Sequence, residues 1–392
     1  MNLFSDEARR NPYPLYDQLR IGSPLLRVPP PFNAWMIFDY EGVKWALNDH
    51  ETFSSSVPAP KWFIFFDPPA HTKLRALISQ AFTPRMVANL DPRIRQLSRE
   101  LLDGTIERGE MDLAADFAVP LAMQVIAGII GIPPEDWTQY KQWTDVILRL
   151  SYTRSGGEEA ERALRDFTAV SLEMDACLAD MIEQRRRAPL DDLLTRLIAA
   201  EIDGERLSQK EILGFFQLLI VAGQETTTNL IDNAVLCLLE HPDQLARLRA
   251  APGLMPGAIE EVLRFRSPLQ WMMRTPRRDV EVHGQVIPAG QLVLAMIGSA
   301  NRDPRKFPGA DRFDIGREPN PHVAFGHGIH FCLGAALSRM ESKIALSDLL
   351  ERFQSFEFAT DEPWQPRHAL NVHGPASLPI RFEVDRRAAA RA

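Results

Sequence analysis

From Ile212 to Ala222 the chain carries no charged residue on any side of a helix, and this run limits the possible folds more than any other feature. Ser208 with Glu211 makes a capping-box pattern just upstream, and the apolar pattern continues until His241-Pro242 stops it. A helix of about 30 residues is roughly 45 Å long at 1.5 Å per residue. A helix apolar all round is not stable on a surface, so this one is expected to run through the core. The rest of the chain reads as mostly helical with a few short strands. Leu25 to Val28 and Ala34 to Phe38, parted by Pro29-Pro30-Pro31, form a hairpin pattern. Val280 to Val282, Val286-Ile287 and Leu292 to Met296 are strand-like with turns at Gly284 and Gly290, and Leu378 to Val384 closes the chain as a strand. The expected fold class is mainly α with small β-sheets.

Polar residues interrupt the apolar helix at Gln224, Glu225, Thr226 and Thr227. Burying them is costly unless they are satisfied, so the cluster points to function. A local kink capped by threonine is the plainer reading, and the two are compatible. Thr226 is placed to back-bond to the Ala222 carbonyl, which bends helices, and Gly223 is expected to leave space for a diatomic molecule.

A second feature is Phe325-Gly326-His327-Gly328-Ile329-His330-Phe331-Cys332-Leu333-Gly334. The glycines let the backbone turn without a Cβ, and Phe325 offers a ring to lie beneath a planar partner. Leu333, Leu337, Met340 and Ile344 recur at helical spacing. Cys332 therefore lies at a helix N-terminus, where the dipole and free N–H groups favour a thiolate, and is a ligand candidate. His322, His327 and His330 are near, but with no second cysteine they fit no usual zinc spacing. A plain buried cysteine explains neither the glycines nor the aromatic. Farther back, Glu261 and Arg264 share one face of a helix starting near Pro256 and ending before Pro268, which suits a bidentate ion pair.

The ten-residue run resembles the haem-ligand signature of the cytochrome P450 family, in which a cysteine thiolate is the proximal iron ligand. Four further segments match in family order: Ala222-Gly223-Gln224-Glu225-Thr226-Thr227, like the oxygen-binding groove; Glu261-Val262-Leu263-Arg264, like the ExxR motif; Asp67-Pro68-Pro69-Ala70-His71-Thr72-Lys73-Leu74-Arg75; and Ala300-Asn301-Arg302-Asp303-Pro304. The resemblance implies the P450 fold, with haem b (iron protoporphyrin IX) between the long central helix and the cysteine loop. Cys332 would be the axial ligand, and Glu225 and Thr226 would relay protons to bound dioxygen. His71, Arg75, Arg274 and His330 would hold the haem propionates. Glu261 and Arg264 would be a buried structural pair, with Arg312 or Arg317 as third member. Trp62, Phe63, Ile64, Phe65, Phe66, Leu218, Val221, Leu269, Trp271 and Val372 would wall an apolar, aromatic substrate pocket.

No linker or low-complexity run divides the 392 residues, so one domain, 1–392, is expected. The formal charge of -8 and the pI near 5.7 argue against a nucleic-acid partner; Arg185-Arg186-Arg187 reads as a helix C-terminal turn. The stretch from Tyr152 to Glu159 reads as a loop or lid. Cys177, Cys237 and Cys332 imply no disulfide framework, which suits a reducing cytoplasm. Met1 to Arg20 is charged and Pro-containing, unlike a signal peptide or membrane anchor, which in the resembled family points to the soluble bacterial type. No flavin or nicotinamide fingerprint is present: Gly326-His327-Gly328 lacks the third glycine. Electrons are then expected from an iron–sulfur ferredoxin and its NAD(P)H-dependent reductase, docking beside Lys73, Arg75, Arg339 and Lys343. The expected activity is hydroxylation of an apolar substrate of fatty acid, terpenoid or steroid type. A peroxide-driven peroxygenase of the same fold, or a haem sensor or electron carrier, are the rivals; neither would need the acid-alcohol pair.

Overall fold

The apolar run forms a single helix, Gln209–Glu240, in the structure, a computed structural model that describes residues 5–29, 33–57, 62–133, 136–150, 157–367 and 369–384. Both halves of the capping box are made: the Ser208 hydroxyl accepts from the Glu211 amide at 3.3 Å, and the Glu211 carboxylate accepts from the Ser208 amide at 2.7 Å. His241 caps the far end and Pro242 starts the next helix, Pro242–Ala250. Phe215, Phe216, Val235 and Leu236 are each at most 3% exposed although they point in different directions. Full burial of such a side chain is worth about 1.5–3 kcal/mol, so the helix is held from all sides by its neighbours. These are Val119–Ile130, Gly157–Arg187, Met255–Phe265 and Ala335–Arg352, the last being the helix that follows Cys332.

Gly223 serves this packing. A Cβ there would stand on Ile126 Cδ1 and 2.8 Å from its Cγ1, so the missing side chain lets helix Val119–Ile130 approach the central helix. Ile126 fills the direction that a side chain would take, so the glycine serves the contact between the two helices. Helix Val119–Ile130 follows a wide π-type turn, Leu113–Ala118. Together, Leu113–Ile130 is long and apolar enough to cross a membrane, with mean hydropathy 1.9, yet 61% of it is buried inside the fold.

The sheets are small and peripheral. The expected hairpin forms from Leu25–Val28 and Ala34–Ile37 and pairs Leu25 with Ile37. Leu292–Ala295 adds parallel to Ala34–Ile37, followed by antiparallel Met272–Pro276 and then Phe53–Ser54, giving a five-stranded sheet. Val280–Val282 and Gln285–Ile287 form a separate hairpin turning at Gly284, whose φ is +73°. The strand Pro379–Val384 lies between Phe353–Phe358 and Glu110–Asp112. Of the loop expected from Tyr152 to Glu159, residues 151–156 lie outside the described residues; Gly157, Glu158 and Glu159 already belong to helix Gly157–Arg187, which ends on Arg185, Arg186 and Arg187 as expected.

Candidate functional site

Cys332 sits on a loop bent by Gly326 and Gly328, with φ of +76° and +71°, values only glycine adopts at little cost. The Gly328 position is also sterically closed, since a Cβ would meet the Asn48 backbone at 2.9 Å. The Cys332 amide donates to the Phe325 carbonyl at 2.9 Å and closes the loop. Helix Ala335–Arg352 starts three residues later with Gly334 as N-cap. Water can reach Cys332 from one side, but protein surrounds the rest of it, and this desolvation pushes the thiol pKa up. The amides of Gly334 and Ala335 and the charges of Arg75 and Arg339 act in the opposite direction, as expected at a helix N-terminus.

A buried ion-pair cluster fixes the segment leading into this loop. Arg264 donates Nε and Nη2 to the two oxygens of Glu261, both at 2.8 Å, and both side chains are 0% exposed. Arg264 also donates to the carbonyls of Asn301, Ala310 and Arg312. Arg317 is the third member, with Nε 3.2 Å from each Glu261 oxygen; Arg312 contributes only its carbonyl. The Asp314 amide and Asn320 complete the shell around Glu261. Asn301 carries the restraint onward, accepting from the Val323 amide at 2.8 Å and donating to Ser267.

His71, His330, Arg75 and Arg274 converge from three separate segments. The two imidazole centroids are 4.1 Å apart, and all four of their ring nitrogens are buried without a hydrogen-bond partner. Burial, then Arg75, pushes His71 down to about 4; burial, then His71 and Arg274, pushes His330 down to about 3. Arg274 is 4% exposed and among the described residues donates only to the Met273 carbonyl, and burial lowers it to about 10. Arg75 donates to the Phe331 carbonyl at 2.7 Å and lowers the Cys332 thiol. Buried donors in this number call for anions. Two carboxylates beside a thiolate-ligated flat group suit them, and the donor set fits haem b.

Across from the cysteine loop, the central helix changes character. It is buried from Phe215 to Leu218 and again from Thr227 to Leu238, but Ala222 is exposed and Val221, Gly223 and Thr226 are partly so. The Thr226 hydroxyl donates to the Ala222 carbonyl at 2.7 Å, the back-bond expected from the sequence. Thr227 reaches Ser338 on the cysteine helix at 3.3 Å. Glu225 is 6% exposed, accepts from Asn229 at 3.3 Å and lies 3.8 Å from Arg367. Arg367, Asn229 and Asp232 were not anticipated. The two helix residues had a readable signal, since Asn229 and Asp232 follow Glu225 on one face of an apolar helix, but Arg367 had none.

The anticipated pocket residues divide. The single turn Phe63–Phe65 lies against the central helix, with Phe63 6.0 Å from Phe215 and stacked at 5.9 Å on His71. Trp62 stacks on Phe65 at 5.9 Å. Trp62, Phe63, Ile64, Phe66, Leu218 and Val221 share one apolar cluster. Leu269 and Val372 meet as an isolated β-bridge. Trp271 packs with Tyr13, Tyr16, Met36, Phe38 and Met296 in a separate apolar cluster and borders a cavity that Val372 also lines. Two of the four expected docking cations are also neutralised. Lys73 pairs with Glu205 at 2.7 Å. Arg339 pairs with Glu260 at 2.6 and 2.9 Å and covers the Phe325 ring at 4.4 Å. Burial raises Glu260, but Arg339 and His322 outweigh it and hold it at about 2.

A long buried helix facing a glycine-framed cysteine, with partnerless buried donors beside it, defines a haem-thiolate protein. A family model described as Cytochrome P450 matches residues 135–251 and 253–379. The chain belongs to the cytochrome P450 family, whose members bind haem b and act as monooxygenases. The putative cytochrome P450 YjiB of Bacillus subtilis is 42% identical over 359 residues, 90% of each chain. The biotin biosynthesis cytochrome P450 of the same organism is 38% identical over 399 residues, 97% of this chain and 98% of its own. Among solved structures, P450BioI in complex with hexadec-9Z-enoic acid ligated acyl carrier protein superposes with TM-score 0.89 at 36% identity, covering 96% of this chain and 99% of that one. CYP109E1 from Bacillus megaterium in complex with corticosterone gives 0.88 at 37%, covering 96% and 99%.

Proposed function

We propose that this enzyme hydroxylates an apolar substrate of fatty acyl or steroid type with dioxygen, taking its electrons from an acidic iron–sulfur ferredoxin. The observation that carries the reading is the acid-alcohol pair Glu225-Thr226, set where the core helix becomes solvent-reachable. A peroxygenase or an electron carrier has no use for such a pair. Haem b supplies the iron and the electron-transfer and dioxygen chemistry. The chain's own contributions are distinct. Cys332 would hold the haem iron, its thiolate favoured by the Gly334 and Ala335 amides. His71, His330, Arg75 and Arg274 would hold the propionates, charge-assisted bonds then supplying the partners that the imidazole nitrogens lack. The Thr226 hydroxyl, bonded to Ala222, keeps its lone pairs for a water, which would carry protons from Glu225.

Phe63, Ile64, Leu218 and Val221 form the apolar wall, with no charged side chain among them to fix an ionic substrate. Relatives solved with a hexadecenoyl chain and with corticosterone support the substrate class. The ferredoxin surface rests on Lys343 and on Arg85 and Arg93 from the elements packed against the cysteine helix. All three are exposed, with no acidic partner among the described residues. The three cysteines are unpaired, which suits the cytoplasm. Optical titration of the ferric protein with long-chain fatty acids, steroids and terpenoids tests the substrate class. Members of the first two classes are expected to shift the Soret band at micromolar concentration; shifts only with small hydrophilic or cationic compounds would contradict it.

A further inference from the structure

Behind Glu225 the central helix buries a second acid. Asp232 is 0% exposed, as is Asn229 between the two, and their spacing puts all three on one face of the helix. Arg367, from the segment before the last strand, enters between the acids. Its Nη2 donates to Asp232 Oδ2 at 3.1 Å, while its Nε stands 3.8 Å from Glu225 Oε1, beyond hydrogen-bond range. The Arg367 backbone is itself held, its amide donating to the Gly374 carbonyl at 3.1 Å and its carbonyl accepting from Arg9. Gly374 lies so close to the helix that a Cβ would stand 2.8 Å from Asn229 Cγ. One guanidinium therefore faces two buried carboxylates and is hydrogen-bonded to the one that is not in the groove.

We propose that Asp232 and Arg367 are positioning residues for Glu225: Asp232 holds the shared guanidinium away, so that Glu225 remains free to give and take protons beside Thr226. The proposal rests on the relay role of Glu225. It follows that when Asp232 takes up a proton, Arg367 closes on Glu225 and fixes it as a carboxylate. The charged groups facing Asp232 are Arg367, Glu225 on its own helix and Asp112 at the end of strand Glu110–Asp112. Burial is the largest influence; with the two acids adding and Arg367 opposing, Asp232 is raised from 3.8 to about 7. The arrangement thus switches near neutral pH, with coupling lost toward acid.

Asp232→Asn, Arg367→Gln, the double variant and Glu225→Gln are to be compared in the haem-loaded enzyme for product and hydrogen peroxide between pH 5.5 and 8.5. Asp232→Asn is expected to lose product per electron several-fold at pH 8.5, where the wild-type Asp232 is ionised, and to flatten the pH dependence, and adding Arg367→Gln is expected to restore product by freeing Glu225. A purely structural role makes the double variant worse than either single one, and that result overturns the proposal. Stability provides a readout independent of turnover. A buried acid with a raised pKa destabilises the fold as pH rises from about 4 to about 7, so the melting temperature of Asp232→Asn should rise relative to wild type across that window; a constant difference overturns the proposal. Should Asp232→Asn fail to fold, Arg367→Gln alone still decides: with no guanidinium to close on Glu225, coupling should no longer fall toward acid, and an acid limb like that of wild type overturns the proposal. If Glu225→Gln turns over like wild type, the relay reading falls and this inference with it. If Glu225→Gln is slow but Asp232→Asn is normal, only this inference falls.

Discussion

The Thr226 hydroxyl is satisfied within its own helix, by the Ala222 carbonyl at 2.7 Å, so its removal leaves no buried group without a partner. Alanine is a good helix former, and Thr226→Ala should keep haem content and substrate affinity. What it loses is the hydroxyl that orders a proton-carrying water. NAD(P)H consumption should continue while hydroxylated product falls and hydrogen peroxide rises, measured in parallel in one reaction. Full coupling with every substrate that binds would remove Thr226 from the relay. At this scale the sequence was most informative where chemistry is local. The glycine-framed Cys332 and the three-residue spacing of Glu261 and Arg264 can be read without a fold, because each motif makes its own geometry. Arg367 could not be read: its contact with Asp232 spans 135 positions, and a lone arginine near a C-terminus has no pattern. The choice between Arg312 and Arg317 stayed open for the same reason, since both follow the ion-pair helix on one irregular segment and only the fold decides which side chain turns inward.

Among the elements, the contact between the central helix and helix Val119–Ile130 depends on Gly223. Helix propensity alone favours alanine there by about 1 kcal/mol. A methyl group would overlap Ile126, however, and overpacking of this kind costs about 1–3 kcal/mol. Gly223→Ala is therefore expected to lower stability in chemical denaturation, and Ile126→Val, which removes the overlapping Cδ1, to recover most of the loss in the double variant. An unaltered or raised midpoint for Gly223→Ala would show that the helices have room to spare. The central helix was legible because its cap, its uncharged run and its stop agreed. The cluster that Trp271 joins was not, because a short apolar segment gives no sign of which cluster it meets.

For the molecule as a whole, a net charge of -8 hides a local excess of cations. Sequence suggested Lys73, Arg75, Arg339 and Lys343, but Lys73 and Arg339 are committed to Glu205 and Glu260. Removing Arg339 would strip Glu260 and uncover Phe325, which confuses docking with loop stability. Lys343 and Arg93 are the cleaner sites. Their double replacement by alanine should slow electron transfer from an acidic ferredoxin at low ionic strength and weaken its salt dependence, by stopped-flow measurement; identical rates at low salt would place the docking face elsewhere. The most direct test of the account is an isotope experiment on the haem-loaded enzyme with a bound fatty acid or steroid. With ferredoxin, reductase, NAD(P)H and labelled dioxygen, the account predicts one labelled oxygen atom in each product molecule, and little product when hydrogen peroxide replaces the electron donors. Product formed as fast from peroxide alone, or carrying no label from dioxygen, would contradict it.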